Sequence, residues 1–71
     1  MHTKSHAFAV AEDDCYRTAN ELRGIYQASG DARRAAILEV LTERFEYDAD
    51  YYGITGDAGE YAKWYVAQPC D

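Results

Sequence analysis

Two long segments with apolar residues three and four positions apart, separated only by Gly30 and Asp31, constrain the fold of this chain most strongly. Such spacing places apolar side chains on one stripe of an α-helix. The first segment covers residues 5–29 and the second covers residues 32–47. Because Gly30 suits the left-handed position after a helix and Asp31 suits the next N-cap, the link predicts a helical hairpin.

The start of the first helix has two interpretations. Ser5 could cap a helix that runs through the whole segment. Alternatively, the helix begins near Ala11, so that the acidic residues 12–14 occupy its first turn and face the positive end of the helix dipole. Residues 6–10 would then form a short strand or an arm.

The last third of the chain predicts a loop followed by a third helix. Residues 48–56 contain two glycines and no apolar period, which indicates a loop or a single helical turn. Asp57 with Glu60 three residues later fits an N-cap and its reciprocal partner. We therefore predict a helix over residues 58–67, ended by Pro69.

A β-hairpin is the competing interpretation of this region. Its strands would be residues 51–55 and 60–66. The favoured fold is thus a small all-α, three-helix domain spanning residues 1–71, with an α+β fold as the alternative. The predicted core is Phe8, Leu22, Tyr26, Ile37, Leu38, Leu41, Phe45 and Trp64. So small a core is marginal alone, which favours a partner or a homodimer.

Charge and aromatic residues are concentrated in one part of the sequence. The formal net charge is −6; residues 1–41 carry six acids and five bases, whereas residues 42–71 carry seven acids and two bases. The second part also holds seven of the ten aromatic residues. Tyrosine and tryptophan are enriched at protein interfaces, and carboxylates beside them attract basic surfaces. The alternative is that these acids only maintain solubility.

This pattern predicts a partner-binding surface in the last third of the chain. The density of acids and tyrosines in residues 47–52 exceeds what a fold requires. The candidate partner-binding residues are Glu43, Glu46, Tyr47, Asp48, Asp50, Tyr51, Tyr52, Asp57, Glu60 and Tyr61. The expected partner is a basic, nucleic-acid-binding surface of a larger protein complex, with no direct contact to nucleic acid or membrane.

A calcium site is the main alternative for the same residues. Asp48, Asp50 and Gly53 match positions one, three and six of an EF-hand loop. The match then fails, because Tyr52 stands at position five and Glu60 comes one residue late. A metal-binding module using Asp48, Asp50 and Glu60, or an accessory subunit that docks through its tyrosines, remains the alternative function. Our favoured interpretation includes no cofactor.

Other functional classes receive little support. The sequence contains no nucleophile elbow and no phosphate-binding loop, so we expect no enzymatic activity. Its acidity opposes direct nucleic-acid binding. Cys15 and Cys70 are expected as free thiols in the cytoplasm, because no signal peptide or long apolar run is present; a single bridge between them is the alternative.

In length, net charge and the acidic aromatic stretch of residues 43–61, the chain resembles the very small acidic proteins with which phages and mobile elements inhibit host defence. Anti-CRISPR proteins and anti-restriction DNA mimics are examples. The resemblance implies inhibition by binding in the host cytoplasm, with carboxylates occupying a Lys- and Arg-lined groove meant for nucleic acid. The modest net charge favours a mixed interface with tyrosine anchors over pure mimicry.

Overall fold

The computed structural model describes residues 6–70, and within that range the protein is all-α. The elements are α1 (His6–Cys15), α2 (Ala19–Ala28), α3 (Asp31–Tyr47), the single turn α4 (Ala49–Tyr52) and α5 (Ala58–Ala67). The predicted bounds of the last helix are confirmed, and those of α3 differ by one residue. Residues 6–70 contain no strand, so the β-hairpin alternative is wrong.

The first predicted helix is in fact two helices, because the chain breaks at residues 16–18. Thr18 caps α2: its hydroxyl accepts a hydrogen bond from the Glu21 backbone N–H at 3.3 Å, and the Glu21 carboxylate accepts one from the Thr18 backbone N–H at 3.2 Å. This reciprocal capping box starts a new helix. Residues 6–10 are helical, so the strand or arm is wrong, and the proposed Ser5 cap lies outside the described residues.

The link between α2 and α3 does not form the predicted hairpin. Ser29 and Gly30 are both extended, with ψ of 156° and 178°, and Gly30 has a φ of −80° rather than a left-handed value. Gly30 is the N-cap position and Asp31 is the first residue of α3. Only a few residues of α2 contact α3, and α3 packs chiefly against α1 and α5.

A side chain from α3 closes the exposed end of α2. The Arg34 guanidinium donates to the carbonyl oxygens of Tyr26 at 2.8 Å and Gln27 at 2.7 Å, and it lies over the Tyr26 ring. The last carbonyls of a helix have no partners within it, and a cation there also favours the helix dipole. Arg34 therefore supplies the basic group that the last turn of α2 lacks.

The core lies along α3 and is largely the predicted one. Its largest fully buried side chains are Phe45, Leu22, Ile37 and Leu41, and three further predicted members, Phe8, Tyr26 and Leu38, are partly buried against it. Trp64 is 54% exposed, so its prediction as a core residue is wrong. The buried stripe of α5 is Ala58, Ala62 and Val66. These small side chains allow close approach to α3, and Trp64 lies off their four-residue repeat.

A buried ion pair joins α1 to α3. Asp14 is only 4% exposed, and both its carboxylate oxygens accept hydrogen bonds from the Arg33 guanidinium, at 3.0 and 2.9 Å. This bidentate geometry satisfies the carboxylate where water cannot reach it. One of the two interpretations of the sequence put Asp14 in the first turn of a helix starting near Ala11; instead it is buried near the C-terminal end of α1.

The connection from α4 to α5 matches the predicted loop and turn. Gly53 has a φ of +69°, the left-handed conformation that ends α4. Asp57 caps α5 as predicted, accepting from the backbone N–H groups of Gly59 and Glu60. The Glu60 carboxylate pairs with Lys63 at 3.2 Å rather than returning to Asp57. Among residues 6–70, no helix is both long and apolar enough to cross a bilayer.

Candidate protein-binding surface

A buried phenylalanine organises the aromatic residues at the C-terminal end of α3. Phe45 is 2% exposed, and its ring makes edge contacts with three tyrosine rings. The centroid distances are 5.0 Å to Tyr52, 4.9 Å to Tyr61 and 5.4 Å to Tyr65. Edge-to-face pairs at such distances are favourable beyond the area they bury. Phe45 thus fixes the position of the α4 turn and of one face of α5.

Several of the surrounding rings point into solvent. Tyr51 packs on Tyr52 at 5.1 Å and remains 85% exposed, while Tyr47, at the end of α3, is 91% exposed. On the other side of Phe45, Tyr61 contacts Trp64 at 5.5 Å. Single exposed rings are common on protein surfaces, but neighbouring exposed rings mark interaction sites.

Sequence reasoning missed a fourth exposed tyrosine, Tyr16, at the C-terminal end of α1. Tyr16 is 81% exposed, and the Arg44 guanidinium lies 5.1 Å from the centre of its ring. Arg44 also donates a 2.6 Å hydrogen bond to the Cys15 carbonyl oxygen. Arg44 therefore joins the end of α1 to α3 and brings Tyr16 beside the predicted surface. Tyr16 follows Cys15, the last residue of α1, and the sequence signal for this break was the Thr18 capping box, which starts α2.

Two neighbouring depressions lie between these rings and share three residues, Tyr16, Arg44 and Asp48. The first, of about 470 Å³, extends to Tyr52 and Cys15. The second, of about 310 Å³, extends to Tyr47 and two glutamates. We call the surface around both depressions the tyrosine surface; its residues are Glu12, Tyr16, Glu43, Arg44, Tyr47, Asp48, Tyr51 and Tyr52.

The structure divides the ten predicted binding residues into three sets. Glu43, Tyr47, Asp48 and Tyr52 line the two depressions, and Tyr51 contacts Tyr52. A second set, Asp57, Glu60 and Tyr61, lines a separate depression of about 380 Å³ around the loop of residues 53–56. The remaining two, Glu46 and Asp50, are exposed but line none of these depressions.

The acids of the second set have structural roles. The Asp57 carboxylate accepts from the Gly59 N–H at 2.7 Å and from the Glu60 N–H at 3.4 Å, so it is committed to the N-terminus of α5. Glu60 is paired with Lys63. By contrast, no side chain among residues 6–70 bonds to the carboxylates of Glu43 or Asp48. Glu43 and Asp48 are therefore better placed than Asp57 and Glu60 to meet a partner.

The EF-hand-like pattern does not produce a ligand cluster in the described part of the chain. Within residues 6–70, no three side chains of His, Cys, Asp or Glu lie close enough together to hold a metal ion. Asp48 begins the α4 turn, so the residues after it form a helix rather than a coordinating loop. Glu60, the expected last ligand, is bound to Lys63.

The buried thiol at the first depression is not activated. Cys15 is 3% exposed, and burial is the main cause that raises its pKa to about 11, against the smaller opposing effect of Arg44. Cys15 therefore stays protonated at neutral pH and is a poor nucleophile. Both cysteines are free, and Cys70 is exposed after the end of α5, so the bridge between them is not formed.

Comparisons with protein-family models, with curated proteins and with solved structures found no match. The functional conclusions for this chain therefore come from its own residues and their geometry. Four of its exposed large side chains, the tyrosines at positions 16, 47, 51 and 52, belong to the tyrosine surface. Glu43 and Asp48, two of the acids of that surface, have no side-chain partner among residues 6–70.

Proposed function

We propose that this protein is an inhibitor that acts by binding, and that the tyrosine surface blocks a basic, nucleic-acid-handling surface of a host defence complex. The observation that carries the proposal is the grouping of four exposed tyrosines with carboxylates around two shared depressions. The resemblance to anti-CRISPR and anti-restriction inhibitors implies inhibition by binding, with carboxylates directed at a Lys- and Arg-lined groove. Such inhibition requires no catalytic group and no cofactor.

The tyrosines are suited to anchor a protein partner. A tyrosine ring buries a large area with few rotatable bonds, and its hydroxyl keeps a hydrogen-bonding group at the interface. Tyr47, Tyr51 and Tyr16 are each more than four-fifths exposed, so most of that area is still available. Truncating such an anchor commonly costs about 2 kcal/mol or more of binding energy.

The carboxylates are suited to select a basic partner. With a net charge of −6, the chain attracts basic surfaces and is repelled by nucleic acid itself. Exposed carboxylates mainly increase the rate of encounter, and salt screens them over about 8 Å at physiological ionic strength. The proposed interface therefore combines electrostatic attraction with aromatic anchoring.

The first experiment captures the partner. The tagged protein is used for pull-down from a host lysate, the captured complex is purified, and its binding to nucleic acid is measured with and without this protein. The proposal predicts capture of a nucleic-acid-handling complex whose nucleic-acid binding falls on addition of the protein. Capture of a complex whose nucleic-acid binding is unaffected would contradict inhibition and favour an accessory subunit.

A kinetic experiment then distinguishes tyrosines that slow dissociation from carboxylates that speed association. Tyr51→Ala should raise the dissociation rate at both low and high salt, whereas Asp48→Asn should slow association only at low salt. Asp31→Asn is the matched control, because it removes the same charge at the opposite end of α3. Equal loss of affinity by Asp48→Asn at both salt concentrations would contradict this division and indicate true phosphate mimicry.

The metal-binding alternative has a separate test. Calcium at millimolar concentration should leave the melting temperature unchanged. Binding to the native state at about 100-fold excess over the dissociation constant would add nearly 3 kcal/mol, which corresponds to an upward shift of many degrees in a domain of this size. Such a shift, abolished by Asp48→Asn, would support the alternative.

A further inference from the structure

The smaller depression of the tyrosine surface has a composition that selects one kind of side chain. We call this depression, of about 310 Å³ between the end of α1 and the last turns of α3, the tyrosine groove. Tyr16 and Tyr47 line it with exposed rings, and Glu12, Glu43 and Asp48 line it with carboxylates. We propose that the tyrosine groove receives the guanidinium of an arginine side chain presented by the partner protein.

The charge of the groove favours a cation. Glu43 and Asp48 supply two carboxylates to its lining, against the one guanidinium of Arg44. Arg44 is already engaged, since it bonds to the Cys15 carbonyl oxygen at 2.6 Å and lies 5.1 Å from the centre of the Tyr16 ring. No side chain among residues 6–70 bonds to the carboxylates of Glu43 and Asp48. These two groups can therefore accept hydrogen bonds from an incoming donor.

The rings favour arginine over lysine. A guanidinium is planar, stacks on aromatic faces and presents several N–H donors to carboxylates in a fixed arrangement. The groove offers both kinds of contact together, with Tyr47 91% exposed beside Glu43 and Asp48. Its apolar wall, Val40, suits the methylene stem of the same side chain. Within the chain, Arg44 over Tyr16 already shows this stacking.

This inference rests on the proposed function only in attributing the arginine to a partner protein. Its test uses a peptide and does not depend on that function. The full chain, labelled with ¹⁵N, is titrated with the blocked tripeptide Gly-Arg-Gly and followed by NMR. The matched peptide, Gly-citrulline-Gly, has nearly the same shape but no charge. We expect saturable shifts at the backbone amides of Tyr16, Tyr47 and Asp48 with the arginine peptide, and no saturable shift there with the citrulline peptide.

Variants locate the binding within the groove. Glu43→Gln should weaken binding of the arginine peptide two- to five-fold, as expected for one partly exposed charge pair. Tyr47→Leu should weaken it by a similar factor through loss of the cation–π contact. Glu46→Gln is the matched control: it removes the same charge from the same end of α3 but from outside the groove, so the affinity should not change. The amide spectrum of each variant verifies its fold.

Three results would overturn the inference: equal binding of the citrulline peptide, arginine-induced shifts spread over all acidic positions, or equal weakening by Glu43→Gln and Glu46→Gln. The last two would mean diffuse attraction by the net charge. Saturable arginine binding without capture of a nucleic-acid-handling complex would support the groove and contradict the proposed function. If the protein captures such a complex but does not bind the arginine peptide, the result supports the proposed function and contradicts the inference about the groove.

Discussion

Replacing Phe45 with leucine tests whether the aromatic contacts around this residue hold the tyrosine surface in place. Leucine keeps most of the buried apolar area but removes the edge contacts to Tyr52, Tyr61 and Tyr65. Each aromatic pair contributes about 0.5–1.5 kcal/mol. Because the three pairs share one ring and leucine retains some contact, we expect a loss of about 2 kcal/mol in the free energy of unfolding.

That loss is large for this chain. At about 0.05–0.15 kcal/mol per residue, a chain of 71 residues has a total stability of roughly 4–10 kcal/mol. A domain of this size loses about 4–8 °C in melting temperature for each kcal/mol, so Phe45→Leu should lower the melting temperature by about 8–16 °C. Far-UV circular dichroism follows the unfolding, and near-UV circular dichroism reports the loosened tyrosine packing before it.

The control is Leu41→Met, one turn earlier on α3. Leu41 is 1% exposed, and as an aliphatic side chain it forms no aromatic pair with the three tyrosine rings. Swaps that conserve volume in this way cost less than about 1.5 kcal/mol. If Phe45→Leu destabilises the protein no more than Leu41→Met, and its near-UV spectrum is unchanged, the aromatic contacts do not position the surface and our account of Phe45 is wrong.

Two further predictions concern the cysteines and the buried ion pair. At pH 8 a thiol reagent should label Cys70 within minutes and Cys15 only after unfolding, because burial raises the pKa of Cys15 to about 11 and keeps it protonated. Mass spectrometry counts the labels. Fast labelling of both cysteines in the native protein would contradict this prediction. Arg33→Met should destabilise the protein at pH 7, because it leaves the buried Asp14 carboxylate without its partner. Combining Arg33→Met with Asp14→Leu should recover part of the loss. Urea unfolding measures both variants, and a double variant no more stable than the single one would exclude an unpaired Asp14 carboxylate as the cause.

The elements that sequence reasoning predicted well are those with local signals at both ends. Helix α5 begins at the Asp57 cap and ends before Pro69, and both signals act within four residues of the boundary. The first helix was predicted as one because its apolar stripe continues in phase through the break, from Cys15 to Ala19 and Leu22. Periodicity could not detect a break that preserves the period; only the capping box of Thr18 marks it.

Part of the candidate surface could not be predicted, because its residues meet only through tertiary contacts. Tyr16 and Arg44 are 28 positions apart in the sequence, and their contact depends on how α1 packs against α3. The exposure of Trp64 depends on which of three neighbouring aromatic residues of α5 faces the core, and spacing alone cannot decide this. Asp57 and Glu60 were grouped with the acids before them because they are close in sequence, whereas in the structure they line a separate depression at the start of α5.

The ion pair and the aromatic contacts of helix α3 lie at its opposite ends. A reporter group can therefore be attached to the protein between them. Arg33 and Phe45 are twelve residues apart, or about 18 Å along the helix axis at 1.5 Å per residue. Ala35, exposed between the ion pair and the tyrosine surface, is a position where a fluorescent dye could be attached through an introduced cysteine, once the exposed native thiol of Cys70 has been replaced by serine. Such a dye would measure association in solution without covering the rings at the other end of the helix.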